Sequence, residues 1–219
     1  MRLFHNPLSS NARRVLLTAH ILETPLELVD VKLLDPADRK RLAELNPNGK
    51  VPVLQDGDFI LWESCAIMQY LADLTPGQEL YPQDLRARAD VNRWMFWATQ
   101  HFFPAVGVLT FQHIWKGMRG MGAADPRELE RGEREILQFA TVLDNHLQGR
   151  MWVAGSALSL ADLSLAPAMT YVEPACLPLE RFKNIGRWFA QIEASEAWQR
   201  TDAPWPPGLG GKGVGANPT

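Results

Sequence analysis

The sequence is poor in cysteine, contains no long apolar run and carries no large excess of either charge. Its two cysteines, Cys65 and Cys176, lie far apart and form no CxxC motif, which indicates reduced thiols rather than a disulfide framework. The longest apolar stretch, residues 102–111, is much shorter than the roughly 18 residues that cross a membrane. The formal net charge of −3 favours neither a nucleic-acid partner nor an anionic membrane surface.

Motifs for metals and dinucleotides are missing as well. The five histidines form no HxxxH or HExxH pair and neither cysteine has a second ligand at zinc spacing, so no metal site is expected. Gly208, Gly210 and Gly213 match the GxGxxG pattern, but the adjacent Pro206 and Pro207 break the strand that a dinucleotide site requires. The first apolar run starts at once and leaves no room for a secretory signal, so we expect a cytoplasmic protein.

The first part of the chain, residues 1–76, predicts an α/β domain. Short apolar runs alternate with stretches of helical spacing, and Asp35 with Pro36 is typical of a helix N-terminus. The Asp-Gly pair in "QDGDF" predicts a hairpin between two apolar runs. The predicted order is βαβαββα, with helices packed on a four-stranded mixed sheet.

The rest of the chain predicts an all-helical domain at residues 85–205, joined by a linker at residues 77–84. We expect the first of its helices to kink or end at Pro104. A later helix begins at Asp125 with Glu128 placed to close a capping box, and Ser159 with Asp162 fits the same S-x-x-D/E pattern. We expect the second pair to stabilise the fold and to play no part in catalysis. The Pro/Gly-rich tail, residues 206–219, is expected to be flexible.

Three motifs occur in an order that resembles one family. Pro52 cannot donate to a strand ladder, and it lies in "NPNGKVPVL" shortly before the "WESCAI" stretch that opens a helix. Together with "SLADLSLA" in the helical domain, these stretches resemble soluble glutathione S-transferases. The resemblance covers residues 1–205 and implies a thioredoxin-like first domain followed by a helical second domain.

The resemblance implies that the first domain binds glutathione. A cis Val51–Pro52 bond would turn the backbone of Val51 towards an extended peptide, and glutathione is such a peptide. Glu63 would meet the γ-glutamyl ammonium, while Ser64 and the helix N-terminus would meet the γ-glutamyl carboxylate.

Two basic positions near this site match the other end of glutathione. Lys50 lies at the family position that fits the glycine carboxylate of the tripeptide. The basic run "DRKRLAEL" offers a second candidate, which could be Arg39, Lys40 or Arg41, although a solvated face is the ordinary explanation of such a run.

The chain has no cysteine where redox members of this fold carry one, because the first helix opens with "NPLSSNARRV". The protein must therefore use the thiol of glutathione. In serine-type transferases, which the chain resembles here, a serine four residues before an arginine donates a hydrogen bond to that sulfur, and this serine is Ser9. Ser10 and Asn11 are alternatives, since some bacterial relatives that act on disulfides carry an asparagine at the place of Asn11. Each of the three could instead serve only as a helix cap.

The activity implied is the transfer of glutathione to a hydrophobic electrophile by a homodimer. The dimer contact is expected to involve the last helix of the first domain. The alternatives are glutathione-dependent reduction of disulfides or peroxides, and a non-catalytic glutathione-binding regulator. The second substrate is expected between the domains, and some of five aromatic residues should line its pocket. These residues are Trp94, Trp97, His101, Phe102 and Trp115.

Overall fold

The structure is a computed structural model that describes residues 1–203 and Trp205. The predicted flexible tail at residues 206–219 lies outside the described residues.

The first domain is a four-stranded sheet with helices, in the strand order β2-β1-β3-β4. β1 is parallel to β2 and antiparallel to β3, which pairs with β4 in a hairpin. The predicted order βαβαββα is therefore confirmed. The elements are β1 (Arg2–His5), α1 (Ser10–Ile21), β2 (Glu27–Asp30), α2 (Pro36–Leu45), β3 (Val53–Asp56), β4 (Phe59–Trp62) and α3 (Ser64–Leu74).

Neighbouring residues of the central strands face opposite sides of the sheet, as the two-residue period of a strand requires. Leu3 and Leu54 point to the side where α1 and α3 pack, and they belong to the large core. Phe4 and Val53 point to the other side and form a smaller core with Leu42 of α2. The sheet is thus covered on both faces.

The second domain is helical, as predicted. A long helical run covers residues 85–118 and includes two π-helical turns, Ala98–Phe102 and Phe111–Trp115. A 3₁₀ segment, Ala166–Tyr171, follows the helix of the "SLADLSLA" motif. The α-helices are α4 (Leu85–Trp97), α5 (Phe103–Thr110), α6 (Lys116–Met118), α7 (Pro126–His146), α8 (Leu160–Leu165), α9 (Lys183–Glu193) and α10 (Glu196–Arg200).

Of the two outcomes expected at Pro104, a kink or an end, the end does not occur, because the helical run continues to Met118. The turn before the proline is widened, because the N–H of Phe103 donates to the carbonyl of Ala98 five residues back. Pro104 then occupies the first turn of α5, where the missing N–H costs little.

The expected capping box at the start of α7 is also absent from the described contacts. Asp125 caps the helix by accepting from the N–H of Arg127, but its own N–H donates to Gln112 Oε1. Glu128 pairs with Arg131 instead of reaching back to Asp125.

The two domains share one apolar core. Val15 and Leu17 of α1, Ile67 and Leu71 of α3, and Val91 of α4 belong to the same buried cluster. The domains therefore hold a fixed relation to each other, and a cavity between them has rigid walls.

Candidate functional site

A cavity of about 500 Å³ lies between the two domains. One wall comes from the start of α1, the segment before β3 and the start of α3. The other comes from the helical run of α4 to α6 and from the 3₁₀ segment. Its lining residues include Ser9, Asn11, Arg14, Lys50, Val51, Pro52, Glu63 and Ser64 from the first domain, and Thr99, Phe103, Val106, Gly107, Thr110, Trp115 and Tyr171 from the second.

Ser9 is the N-cap of α1 and lines this cavity. Its backbone is extended, and its Oγ accepts a hydrogen bond from the N–H of Ala12 at 3.2 Å. A hydroxyl has one proton to donate besides its acceptor sites, so capping leaves the proton of Ser9 available to a ligand. The serine therefore combines a structural role with a donor near the positive end of the α1 dipole.

Ser10 and Asn11 lie beside Ser9 but in different environments. Ser10 is buried, and its backbone N–H donates to the hydroxyl of Tyr171 at 3.3 Å. Asn11 is exposed at the rim of the cavity. Tyr171 also donates to the carbonyl of Leu8 at 3.0 Å, so one side chain of the second domain binds the backbone on both sides of Ser9. Burial raises the pKa of Tyr171, which keeps this hydroxyl protonated.

Arg14 is a buried cation in the cavity wall, with only 1% of its surface exposed. Its Nη1 donates to Ser64 Oγ at 3.3 Å and approaches Cys65 Sγ at 3.5 Å. Its guanidinium lies 4.2 Å from the ring centre of Phe103. Nε and Nη2 have no hydrogen-bond partner among the described residues. A buried cation with unsatisfied donors is costly unless an anion pairs with it, so the site fits an anionic ligand group.

Glu63 and Ser64 lie together at the start of α3. Glu63 has φ of +74°, a conformation that side-chain-bearing residues rarely adopt and that tends to cluster at functional sites. Glu63 is exposed at the cavity and forms no ion pair within residues 1–203. A carboxylate thus stands near the buried guanidinium without pairing with it, and the two groups present opposite charges to a zwitterionic ligand.

The segment before β3 forms the adjoining edge of the cavity. The Val51–Pro52 bond is cis, as the sequence predicts. Pro52 immediately precedes β3, so no ladder donor is lost. Asn46 holds the loop in shape, because its Nδ2 donates to the carbonyl of Lys50 at 2.7 Å and its Oδ1 accepts from the N–H of Asn48. Lys50 is exposed at the cavity, whereas Arg39 lies on the exposed side of α2 and does not line it.

Most of the five aromatic residues predicted to line the second-substrate pocket do not line the cavity. Only Trp115 lines the cavity. Trp94 and Phe102 are buried in the shared core, and Trp94 lies against His146 of α7. Trp97 and His101 contact a phenylalanine of α7, Phe139, at ring distances of 6.2 and 5.5 Å.

Trp94, Trp97 and His101 thus lie on the face that packs against α7, and Phe102 stacks on Trp97. The neighbouring face of the same helical run supplies the cavity wall, with Thr99, Phe103, Gly107 and Thr110. Both faces contain apolar residues, and the sequence offers no signal that separates them.

Arg14 and Tyr171 are polar residues of the site that the sequence analysis did not identify. Arg14 could have been suspected, because it shares a helix face with Ser10, Leu17 and Thr18, all of which are buried. Tyr171 could not, because its contact with Leu8 joins residues 163 positions apart.

Comparison with known proteins assigns the family. Residues 1–73 match the family described as "Glutathione S-transferase, N-terminal domain", and residues 101–196 match "Glutathione S-transferase, C-terminal domain". The glutathione S-transferase of Hyoscyamus muticus is 32% identical over 203 residues, which cover 90% of this chain and 95% of the relative. The chain belongs to the glutathione S-transferase family. The GstB glutathione S-transferase of Escherichia coli K12 is 30% identical, with 84% and 88% covered.

Solved glutathione transferases share the whole fold with this family member. Glutathione transferase F7 from Populus trichocarpa superimposes with a TM-score of 0.83 at 26% identity, covering 91% of this chain and 96% of that one. A delta-class glutathione transferase of Nilaparvata lugens gives a TM-score of 0.77 at 29% identity, with 92% of each chain covered.

Over residues 1–203, no group of three or more histidine, cysteine or acidic side chains is placed to hold a metal ion. No described helix combines the length and the apolar character needed to cross a membrane.

Proposed function

We propose that this glutathione S-transferase binds glutathione in the cavity between its domains, activates it as the thiolate and transfers it to an uncharged, apolar electrophile. The proposal rests on two features that lie in the same cavity. The first is the buried guanidinium of Arg14, which has no anionic partner among the described residues; the second is the free hydroxyl proton of Ser9 at the start of α1.

The charges of the cavity match those of glutathione at three points. Arg14, Ser64 and the N-terminus of α3 suit the γ-glutamyl carboxylate, and Glu63 suits the ammonium beside it. Lys50 suits the glycine carboxylate at the other end. Val51 lines the same cavity, where its backbone suits the peptide backbone of the ligand.

The chemistry then requires a thiolate at neutral pH. The thiol of glutathione loses its proton to solvent, and the hydroxyl of Ser9 donates a hydrogen bond to the sulfur anion. This bond and the α1 dipole lower the thiol pKa from its ordinary value of about 8.5. The sulfur attacks the electrophilic carbon, a carbon–sulfur bond forms, and the leaving group departs with its electron pair.

Reduction of disulfides is a second candidate, because Asn11 also faces the cavity. The same thiolate would attack a sulfur atom instead of a carbon, and the amide of Asn11 could donate to it. One experiment separates the two donors.

The test is the pH dependence of kcat for the wild type, Ser9→Ala, Ser9→Thr and Asn11→Ala, with one alkyl halide and one mixed disulfide as substrates. Absorbance of the bound thiolate, titrated in the same variants, gives the thiol pKa directly. We expect Ser9→Ala to raise that pKa and to lower turnover at neutral pH, with partial recovery at high pH. Ser9→Thr keeps the hydroxyl and should keep most of the activity.

Ser9→Ala also removes the cap of α1, which should cost about 1 kcal/mol of stability. Thermal unfolding of each variant therefore has to be measured separately. If Asn11→Ala shifts the thiol pKa and Ser9→Ala does not, the donor is Asn11. If the wild type turns over neither substrate, the proposal of transferase activity fails.

We further propose that the protein acts in the cytoplasm as a homodimer. The composition, with two cysteines and no disulfide between them, supports a reducing compartment. Exposed apolar side chains on β4, α3 and α4 support a partner subunit.

A further inference from the structure

Gly107 lies in the wall of the cavity, and neither its backbone conformation nor its packing requires a glycine. It lies in the interior of α5, and a Cβ built on it would meet no atom within 4 Å apart from its chain neighbours and the backbone of its own helix. Its backbone is ordinary right-handed helix, which any residue can adopt. Glycine inside a helix is less favourable than alanine by about 1 kcal/mol, so Gly107 lowers the stability of α5 without a packing reason.

Gly132, a second helical glycine, is required by packing. At Gly132 in α7, a Cβ would lie 2.8 Å from Leu109 Cδ2, so the glycine lets α5 and α7 approach closely. Gly107 and Leu109 belong to the same helix but to different faces. Leu109 packs on α7, while Gly107 lines the cavity.

The wall around Gly107 has few groups that could bind a polar substrate. The hydroxyl of Thr99 donates to carbonyls of its own helix, Met95 and Phe96, and that of Thr110 donates to the carbonyl of Gly107. Phe103 and Val106 present apolar surface to the cavity. The charged side chains of the cavity lie on the opposite wall, which belongs to the first domain.

We propose that Gly107 determines which second substrates the enzyme accepts. The missing side chain leaves space for a flat, uncharged apolar group that lies against α5 between Phe103 and Thr110. This inference rests on the proposed transferase function and adds a size limit to it: Gly107 admits bulky electrophiles that a larger residue at this position would disfavour.

The test compares two electrophiles that differ in size alone. Benzyl chloride and naphthylmethyl chloride react at the same kind of carbon and lose the same chloride, while the second carries one more fused ring. We expect the ratio of kcat/KM for the larger to that for the smaller to fall about tenfold in Gly107→Ala and about a hundredfold in Gly107→Val, because each added carbon removes space in an apolar pocket.

Gly186 provides the matched control. It lies in α9, also has nothing within 4 Å of a built Cβ, and is remote from the cavity. Gly186→Ala and Gly107→Ala should each raise the midpoint of thermal unfolding by about 2–4 °C, which shows that both variants are folded. The Gly186 variants should leave the size ratio unchanged. An unchanged ratio in both Gly107 variants would overturn the inference.

A binding measurement separates this inference from the transferase proposal. The dissociation constants of S-methylglutathione and S-hexylglutathione, read from tryptophan fluorescence, require no turnover. Loss of affinity for the hexyl compound alone in Gly107→Val supports the inference, even if no electrophile reacts. Equal losses for both compounds, or no binding of either by the wild type, would overturn it.

Discussion

Arg14 is the residue whose burial is hardest to explain without a ligand. Its guanidinium is desolvated, it donates only to Ser64 and Cys65, and two of its nitrogens have no partner in the described part of the chain. The adjacent Arg13 is buried as well, but its guanidinium contacts Thr170, Thr201 and the Trp198 carbonyl and pairs with Asp202. Both arginines are therefore buried, but only Arg13 has a hydrogen-bond partner for each guanidinium nitrogen among the described residues.

Replacing Arg14 by methionine should separate ligand binding from stability. Because an unpaired buried cation is replaced by an apolar side chain, Arg14→Met should unfold at the same or a higher temperature without ligand. Its dissociation constant for glutathione should rise at least tenfold, since a buried charge pair with the ligand is lost. Calorimetric titration and thermal unfolding measure the two effects.

Arg13→Met is the control for that experiment. It breaks a buried guanidinium network that is fully paired, so it should lower the unfolding temperature and change the glutathione dissociation constant less. If Arg14→Met destabilised the protein as much as Arg13→Met and left binding unchanged, Arg14 would be a structural residue.

Glu63 combines an unfavourable backbone conformation with a position in the cavity. We expect Glu63→Gly and Glu63→Ala to weaken glutathione binding equally, because both remove the carboxylate. Glycine tolerates the φ of +74° and alanine does not, so Glu63→Gly should be more stable by about 1 kcal/mol. Denaturant unfolding of the two variants gives the difference; an alanine variant as stable as the glycine variant would show that no strain is stored at Glu63.

At the scale of an element, α8 depends on one buried carboxylate. Asp162 accepts from the N–H and the hydroxyl of Ser159, which completes the predicted capping box. It also accepts from the N–H of Val153 and from the indole of Trp188 in α9. The local motif therefore joins α8 to two distant segments, which the sequence pattern did not indicate.

Asp162→Ala should be strongly destabilising, because it leaves three buried N–H donors unpaired at about 1–3 kcal/mol each. Asp162→Asn keeps the oxygen that serves Val153 and Trp188 and should lose less. The measurements are thermal unfolding and glutathione affinity at a temperature where both variants are folded. Affinity should stay unchanged, and an altered affinity at full stability would mean that Asp162 belongs to the site.

The same carboxylate predicts a pH dependence. Burial raises the pKa of Asp162, and the donors around it offset this only in part. The folded state therefore holds the proton more tightly than the unfolded chain. The stability from this group is fully present below the ordinary Asp pKa and is lost as the pH rises through the raised value. Denaturant unfolding should show the stability difference between the wild type and Asp162→Asn shrinking with rising pH; a constant difference would contradict this.

At the scale of the molecule, the site exists because two domains are held together. Arg13 of α1 contacts Thr170, Trp198 and Asp202, and Tyr171 holds the backbone on both sides of Ser9. Ser9, the proposed donor to the thiolate, is thus held in place by the domain that supplies the proposed second-substrate wall.

The exposed apolar residues of the first domain and α4 predict the subunit contact. Phe59, Trp62 and Leu74 are exposed, and Phe96 is 64% exposed. Phe96→Glu should therefore convert the proposed dimer to a monomer, because a charge is placed in an apolar interface. Met151→Glu is the control, since Met151 is 59% exposed outside this patch. Sedimentation velocity at micromolar concentration measures both; a monomeric wild type would refute the dimer.

Most of the elements and several local motifs could be predicted from the sequence. The hairpin at Gly57, the caps Ser9 and Asp35 and the proline before β3 all depend on residues a few positions apart, so their chemistry can be read in order along the chain. The helix face that lines the cavity could not be predicted in this way, because Trp97 and Phe103 are both apolar and differ only in what packs against them. Nor could the contacts of Arg14 with Ser64 and of Tyr171 with Leu8 be predicted, since they join residues 50 and 163 positions apart. Such contacts follow from the packing of whole elements, which no local pattern contains.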